Sequence, residues 1–195
     1  GRHVSGIAAL GIPTFRITNG PVGLGQNDCI SASVTPVLFT LATGERVDIT
    51  AYTDASSAKA TALPSAIGAA ASFDPAVVAA YGDLIGVEMR NLALHVFEAP
   101  GMNMARLPIL GRNFEYFGED PYLSGVMSVA EIKAIQAKGL IGMAKHFVAN
   151  EQETNRTTVQ ETVDRQVLRE LYLLPFEMSV KDGKVASIMC AYNYV

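Results

Sequence analysis

The chain has 195 residues, 49% of them hydrophobic and 17% charged, with a formal net charge of −4. That is long and apolar enough for one packed core, which excludes a disordered chain. The charged fraction falls below the ~25% of an average domain, as expected of a piece of a larger assembly whose surface is partly covered. No run of Lys or Arg offers the footprint that nucleic acid or an anionic membrane needs, and no apolar run approaches the ~20 residues that cross a bilayer. The opening "GRHVSGIAAL" lacks the apolar stretch of a signal peptide, and the spacing of Cys29 and Cys190 suggests no metal site and leaves the redox compartment open.

In chain order, residues 26–62 come first, rich in Ser, Thr and Ala, and read as an insertion or long loop. Asp74-Pro75 then places a side-chain acceptor at a helix N-cap and a proline at the first helical position, where its missing N–H costs nothing. The helix that begins there is expected to bury Val77, Tyr81, Leu84 and Ile85. "ALHVFEAP" (93–100) is a short apolar run without alternation, the pattern of a strand buried on both faces. Asp120-Pro121 repeats the start signal, for a helix carrying Val126, Val129, Ile132 and Ile135 that stops at Gly139. "LIGMAKHF" (140–147) is a second buried strand. A helical segment follows from about Val163 through Leu168, Leu171 and Tyr172, bent at Pro175 and ended at Gly183, and "VASIMCAY" (185–192) is a third buried strand.

Strand, helix, strand, helix, strand at intervals of roughly 45 residues predicts an α/β fold with a parallel sheet and outer helices, either doubly wound or part of a (β/α)8 barrel. No GxGxxG or GxxxxGK[ST] follows a strand, which favours the barrel over a nucleotide-binding sheet. A barrel works at the C-terminal ends of its strands, and the polar residues gather there: "APGMNMARLPILGRNFEYFGEDP" after the first strand, Lys145-His146 and "FVANEQETNR" at the second, Tyr192-Asn193 after the third. Arginine, lysine and histidine together suit the hydroxyls of a sugar. The plainer reading of Lys145-His146 is a structural ion pair with a core histidine. Met189 on an apolar strand is core by default, and Tyr192 could be a strand-end anchor. Glu115 and Glu119 invite a glycosidase acid/base reading, but Glu119 precedes a helix start, so they and Asp120 are expected to fix the loop. His95 is expected to pack. His3, His95 and His146 lie too far apart for a metal cluster.

Five blocks, "LGIPTFRITNGPVGLG", "APGMNMARLPILGRNFEYFGEDPYLSG", "AKHFVANEQETNR", "LRELYLLPFE" and "SIMCAYNYV", together resemble the N-terminal barrel of the glycoside hydrolase family 3 β-glucosidases. The resemblance implies a partial (β/α)8 barrel over 1–195, belonging to a retaining, exo-acting β-glycosidase that works without a cofactor. Its substrate would be a β-linked oligosaccharide or glycoside. Carried over residue by residue, Arg112, Lys145, His146, Arg156, Met189 and Tyr192 would surround the sugar in subsite −1. Where the family usually has an aspartate before Gly-Pro this chain has Asn19, an amide that donates as well as accepts and carries no charge. The nucleophilic aspartate of the family stands in a Ser-Asp-Trp-like segment, expected beyond Val195. The acid/base residue is expected later still, so that the remainder of the barrel and a following α/β domain, in the same or another chain, are the expected partners. The block "KHFVANEQE" departs from the KHFPGHG type of the N-acetylglucosaminidase branch. A non-catalytic sugar-binding or regulatory barrel is the alternative that Asn19 and the missing carboxylates suggest.

Overall fold

The computed structural model describes residues 3–12, 14–25, 38–40, 46–48 and 60–195. Most of the 26–62 stretch, and Cys29 within it, lies outside the described residues; the described part comprises residues 60–62 and an antiparallel pair, β3 (Leu38–Thr40) and β4 (Arg46–Asp48). The main sheet contains β1 (His3–Val4), β2 (Phe15–Asn19), β5 (Val96–Glu98), β6 (Ile141–Phe147) and β7 (Ser187–Cys190), in that spatial order. β1 is antiparallel to β2, and the remaining neighbours are parallel, with Asn19 beside Glu98 and Phe97 beside Gly142. Helices run between the parallel strands, as expected for part of a (β/α)8 barrel.

Both Asp-Pro starts hold. After α1 (Ala66–Ala70), Asp74 accepts from the Ala76 N–H at the head of α2 (Pro75–Asn91), and Asp120 accepts from the Leu123 N–H at the head of α3 (Pro121–Gln136). The buried face of α2 differs from expectation. Ile85 is fully buried and Tyr81 half-buried, but Val77 and Leu84 are exposed, and the inner face is Val78, Gly82, Ile85, Gly86 and Met89. The reason is close packing on α3. A Cβ on Gly82 would come 2.9 Å from the Glu131 carbonyl oxygen, so backbone rather than side chain fills the contact, which hydrophobicity alone does not reveal. On α3, Ile132 and Ile135 are fully buried, Val126 and Val129 half-buried. Ile85, Met89, Leu94, Phe97 and Ile135 form the core between the two helices and the sheet.

The third helical segment is divided. Asp164 caps α4 (Arg165–Val167), a wide turn of π-helix covers Leu168–Tyr172, and α5 (Leu174–Lys181) begins with Pro175 in its first turn and ends before Gly183, whose N–H bonds to the Met178 carbonyl. β5 and most of β6 are buried, as expected. β7 is not: its residues alternate between half-buried and exposed because, among the described residues, it is the edge of the sheet. Where β6 and β7 pair, the register is irregular between Ala144 and Phe147. That irregularity holds Lys145 and His146, which are buried consecutively instead of alternating in and out.

Candidate functional site

Asn19 ends β2, Lys145 and His146 lie near the end of β6, Tyr192 follows β7 by two residues, and Arg112 stands in the loop after β5. All five therefore belong to the C-terminal end of the parallel sheet. Lys145 is 2% exposed. Its Nζ donates to Asn19 Oδ1 at 2.8 Å and pairs with Glu115 Oε2 at 3.3 Å. Asn19 Oδ1 also accepts from the Gly20 N–H at 3.0 Å, which holds the amide oxygen toward the lysine.

Glu115 joins the two buried cations. Arg112 meets its Oε1 through Nε and Nη2, each at 2.6 Å, while the other oxygen serves Lys145. The sequence reading kept Glu115 for the loop; it does close the short helical turn Asn113–Glu115, but its carboxylate is what allows two cations to be buried side by side. Asp120 caps α3, and Glu119 is exposed, as expected of loop-fixing residues.

His146 Nε2 lies 2.9 Å from Arg112 Nη2. A guanidinium only donates, so Nε2 accepts and the ring proton sits on Nδ1, 3.3 Å from Asn103 Oδ1. Asn103 also clamps the His146 main chain, accepting from its N–H at 2.8 Å and donating to its carbonyl at 2.9 Å. Tyr116 packs edge-on against the imidazole and gives its hydroxyl proton to the Asn150 carbonyl. Burial, reinforced by Arg112, Lys145 and Arg156, pushes the His146 imidazole down to about 2, so the ring is neutral. Burial likewise lowers the Lys145 ammonium below its ordinary value, with Glu115 and Glu98 pulling the other way.

Toward solvent the network continues through Glu153. Its Oε1 takes Arg112 Nη1 at 3.0 Å and its Oε2 takes Arg156 Nη1 at 3.1 Å, while the Arg156 guanidinium lies 5.2 Å from the centre of the Tyr192 ring. Six of the residues singled out from sequence, Asn19, Arg112, Lys145, His146, Arg156 and Tyr192, thus belong to one connected chain of contacts. Met189 enters it by no polar contact and lies half-buried in β7. His95 packs, stacking on Phe15 and accepting from the Arg16 N–H. Sequence reasoning passed over Glu153 and Asn103. Glu153 lies inside the "NEQETNR" block, between Arg112 and Arg156 in space, but nothing in the spacing marked it; Asn103 carries no sequence signal at all.

The result is an array of donors held in place by protein contacts beside one neutral imidazole, and such an array suits a molecule dense in hydroxyl groups. Glu115 and Glu153 are each held by two cations, so neither is placed as a nucleophile or a proton donor.

The profile of the "Glycosyl hydrolase family 3 N terminal domain" matches residues 47–195. Thermostable β-glucosidase B of Acetivibrio thermocellus is 38% identical over 191 residues, which are 98% of this chain and 23% of that protein. An exo-α-(1→6)-L-arabinopyranosidase of Bifidobacterium longum is 35% identical, over 99% of this chain and 23% of its own length. β-Glucosidase 3B from Thermotoga neapolitana, solved in complex with glucose, superposes with a TM-score of 0.80 at 35% identity, covering 98% of this chain and 24% of that one. The chain therefore spans about a quarter of the length of the relatives it matches.

Proposed function

Because the chain belongs to glycosyl hydrolase family 3, we propose that it is the N-terminal part of the catalytic barrel of a retaining, exo-acting β-glucosidase-like enzyme, and that its strand-end cluster is the cradle for the terminal sugar in subsite −1. The observation that carries this reading is the Arg112–Glu115–Lys145 assembly beside a neutral His146, buried at the end of the sheet where a barrel does its chemistry. Two desolvated cations and an imidazole in one tautomer cost a plain core a great deal, and they repay it when hydroxyls arrive as partners.

In this reading Lys145, Arg112 and Arg156 direct N–H groups at sugar hydroxyls, Asn19 aligns Lys145, and Tyr192 and Met189 bound the sugar on the β7 side. Contacts to ring hydroxyls strengthen as the pyranose flattens toward the oxocarbenium-like transition state, so they accelerate as well as bind. Double displacement needs two further carboxylates. One attacks the anomeric carbon as the leaving oxygen takes a proton from the other, and water, deprotonated by that second group, then releases the sugar. With Glu115 and Glu153 spent on cations, the nucleophile and the acid/base group are assigned to parts of the enzyme outside these 195 residues. The substrate is a terminal non-reducing sugar of a β-linked glycoside or oligosaccharide; the arabinopyranosidase relative adds α-L-arabinopyranosides as the other sugar class to assay.

The test is Lys145→Met in the full-length enzyme, assayed on aryl β-glucoside and aryl α-L-arabinopyranoside beside Glu119→Ala. Lys145→Met is expected to lower kcat/KM by about a hundredfold or more on the preferred substrate, while Glu119→Ala stays within about threefold of the parent. Equal, small losses in both would end the cradle assignment.

A further inference from the structure

We propose that Glu153 is a positioning residue: its single carboxylate ties Arg112 to Arg156, so that two like-charged guanidiniums face the same sugar. The proposal rests on the cradle reading above. Arg112 Nη1 meets Oε1 of Glu153 at 3.0 Å, while Arg156 Nη1 straddles the carboxylate, 3.1 Å from Oε2 and 3.3 Å from Oε1. The two arginines differ in what else holds them. Arg112 is wedged against Glu115 and His146 and keeps its place without Glu153. Arg156, 39% exposed in its side chain, has only Glu153 and the face of Tyr192 among the contacts described above. Freed of the carboxylate, it would recover the rotamer freedom of a long surface arginine and be pushed outward by the charge of Arg112.

The loops are built to bring Glu153 here. Gly111, just before Arg112, has φ +85° and bridges antiparallel to Gln152, just before Glu153. A Cβ on Gly111 would approach Glu153 Cγ to 3.2 Å, so the absence of a side chain at 111 leaves the carboxylate its room. Turn bonds from Arg156 N–H to the Glu153 carbonyl and from Gln152 Nε2 to the Thr154 carbonyl fix the segment between. Glu153 is itself 43% exposed at its side chain, and ion pairs at that level of exposure contribute little to stability. Its removal should therefore be felt in substrate handling, not in folding.

The experiment is a double-mutant cycle in the full-length enzyme, with Glu153→Gln, Arg156→Ala and the pair, and Arg112→Ala as a control. The amide keeps one acceptor oxygen but loses the charge and puts a donor NH2 where the second carboxylate oxygen stood, which weakens its hold on two donor-only guanidiniums. Glu153→Gln is expected to lower kcat/KM about tenfold, with KM rising at least as much as kcat falls and the melting temperature unchanged. The double variant should lose far less than the product of the two single losses, because Glu153 acts through Arg156. Independent, multiplying losses, or a Glu153→Gln effect confined to melting temperature, would overturn the proposal while leaving the cradle intact. Wild-type kcat/KM in both Arg112→Ala and Arg156→Ala would instead remove the cradle, and this proposal with it.

Discussion

Glu131 shows what a single misplaced charge does in this fold. It is 4% exposed on the inner face of α3, and burial pushes its carboxyl up to about 8, with the charge of Lys145 pulling the other way. Between about 4.5 and 8 the folded state holds a proton that the unfolded state has released, so stability falls as pH rises through that window. Glu131→Gln should leave thermal stability unchanged near the acid end of the window and raise it by roughly 1–3 kcal/mol above the alkaline end, read from melting curves taken across pH. A parallel pH dependence in the variant would show that the carboxylate is not held neutral. At this scale the sequence disclosed Lys145 and His146, which interrupt an apolar segment near the end of a strand, and Arg112, which stands in one of the five blocks that carry the family resemblance. It did not disclose Glu153, Asn103 or the double service of Glu115. These are polar residues in loops, where no periodicity says which way a side chain turns, and only the meeting of distant segments gives them partners.

At the scale of elements, the helix starts were legible because an Asp-Pro pair is a local device: cap and first turn lie within a few residues of one another. The faces were less so. α2 turns two glycines inward against α3, and a residue without a side chain is invisible to a search for apolar stripes. The two glycines should differ in degree. A methyl on Gly82 meets the α3 backbone, the Glu131 oxygen at 2.9 Å and its Cα at 3.2 Å, whereas on Gly86 it meets Lys138 Cγ at 2.8 Å, which can clear by turning the side chain away from its ion pair with Asp83. Gly82→Ala is therefore expected to cost about 1–3 kcal/mol in a urea titration, and Gly86→Ala to cost less, about 1 kcal/mol or under, because helix propensity offsets part of the shift of Lys138. Matching losses at both sites would mean that the helices are not held apart by backbone. The openness of β7 was hidden for a related reason. Its apolar run is written for burial on both faces, and nothing in four residues tells which neighbour supplies the cover.

For the whole molecule, the carboxylates decide what these residues can do by themselves. Glu115 and Glu153 are occupied by cations, and the chain spans about a quarter of the length of its relatives. The 195 residues alone should show no turnover of an aryl β-glucoside; steady hydrolysis by the purified chain, abolished by substituting one of its own carboxylates, would refute that division of labour. The barrel class was readable from the order of the elements, the meeting of polar residues from which ends of the strands carry them, and the family from the five blocks taken together. The locked imidazole of His146 has one more consequence. A ring that neither gains nor loses its proton in the neutral range offers the same donor and the same acceptor whatever the acidity of its surroundings. In the proposed cradle His146 would then add no limb of its own to an activity profile, and descendants that moved between acidic and neutral habitats could inherit this histidine unaltered while other groups were retuned.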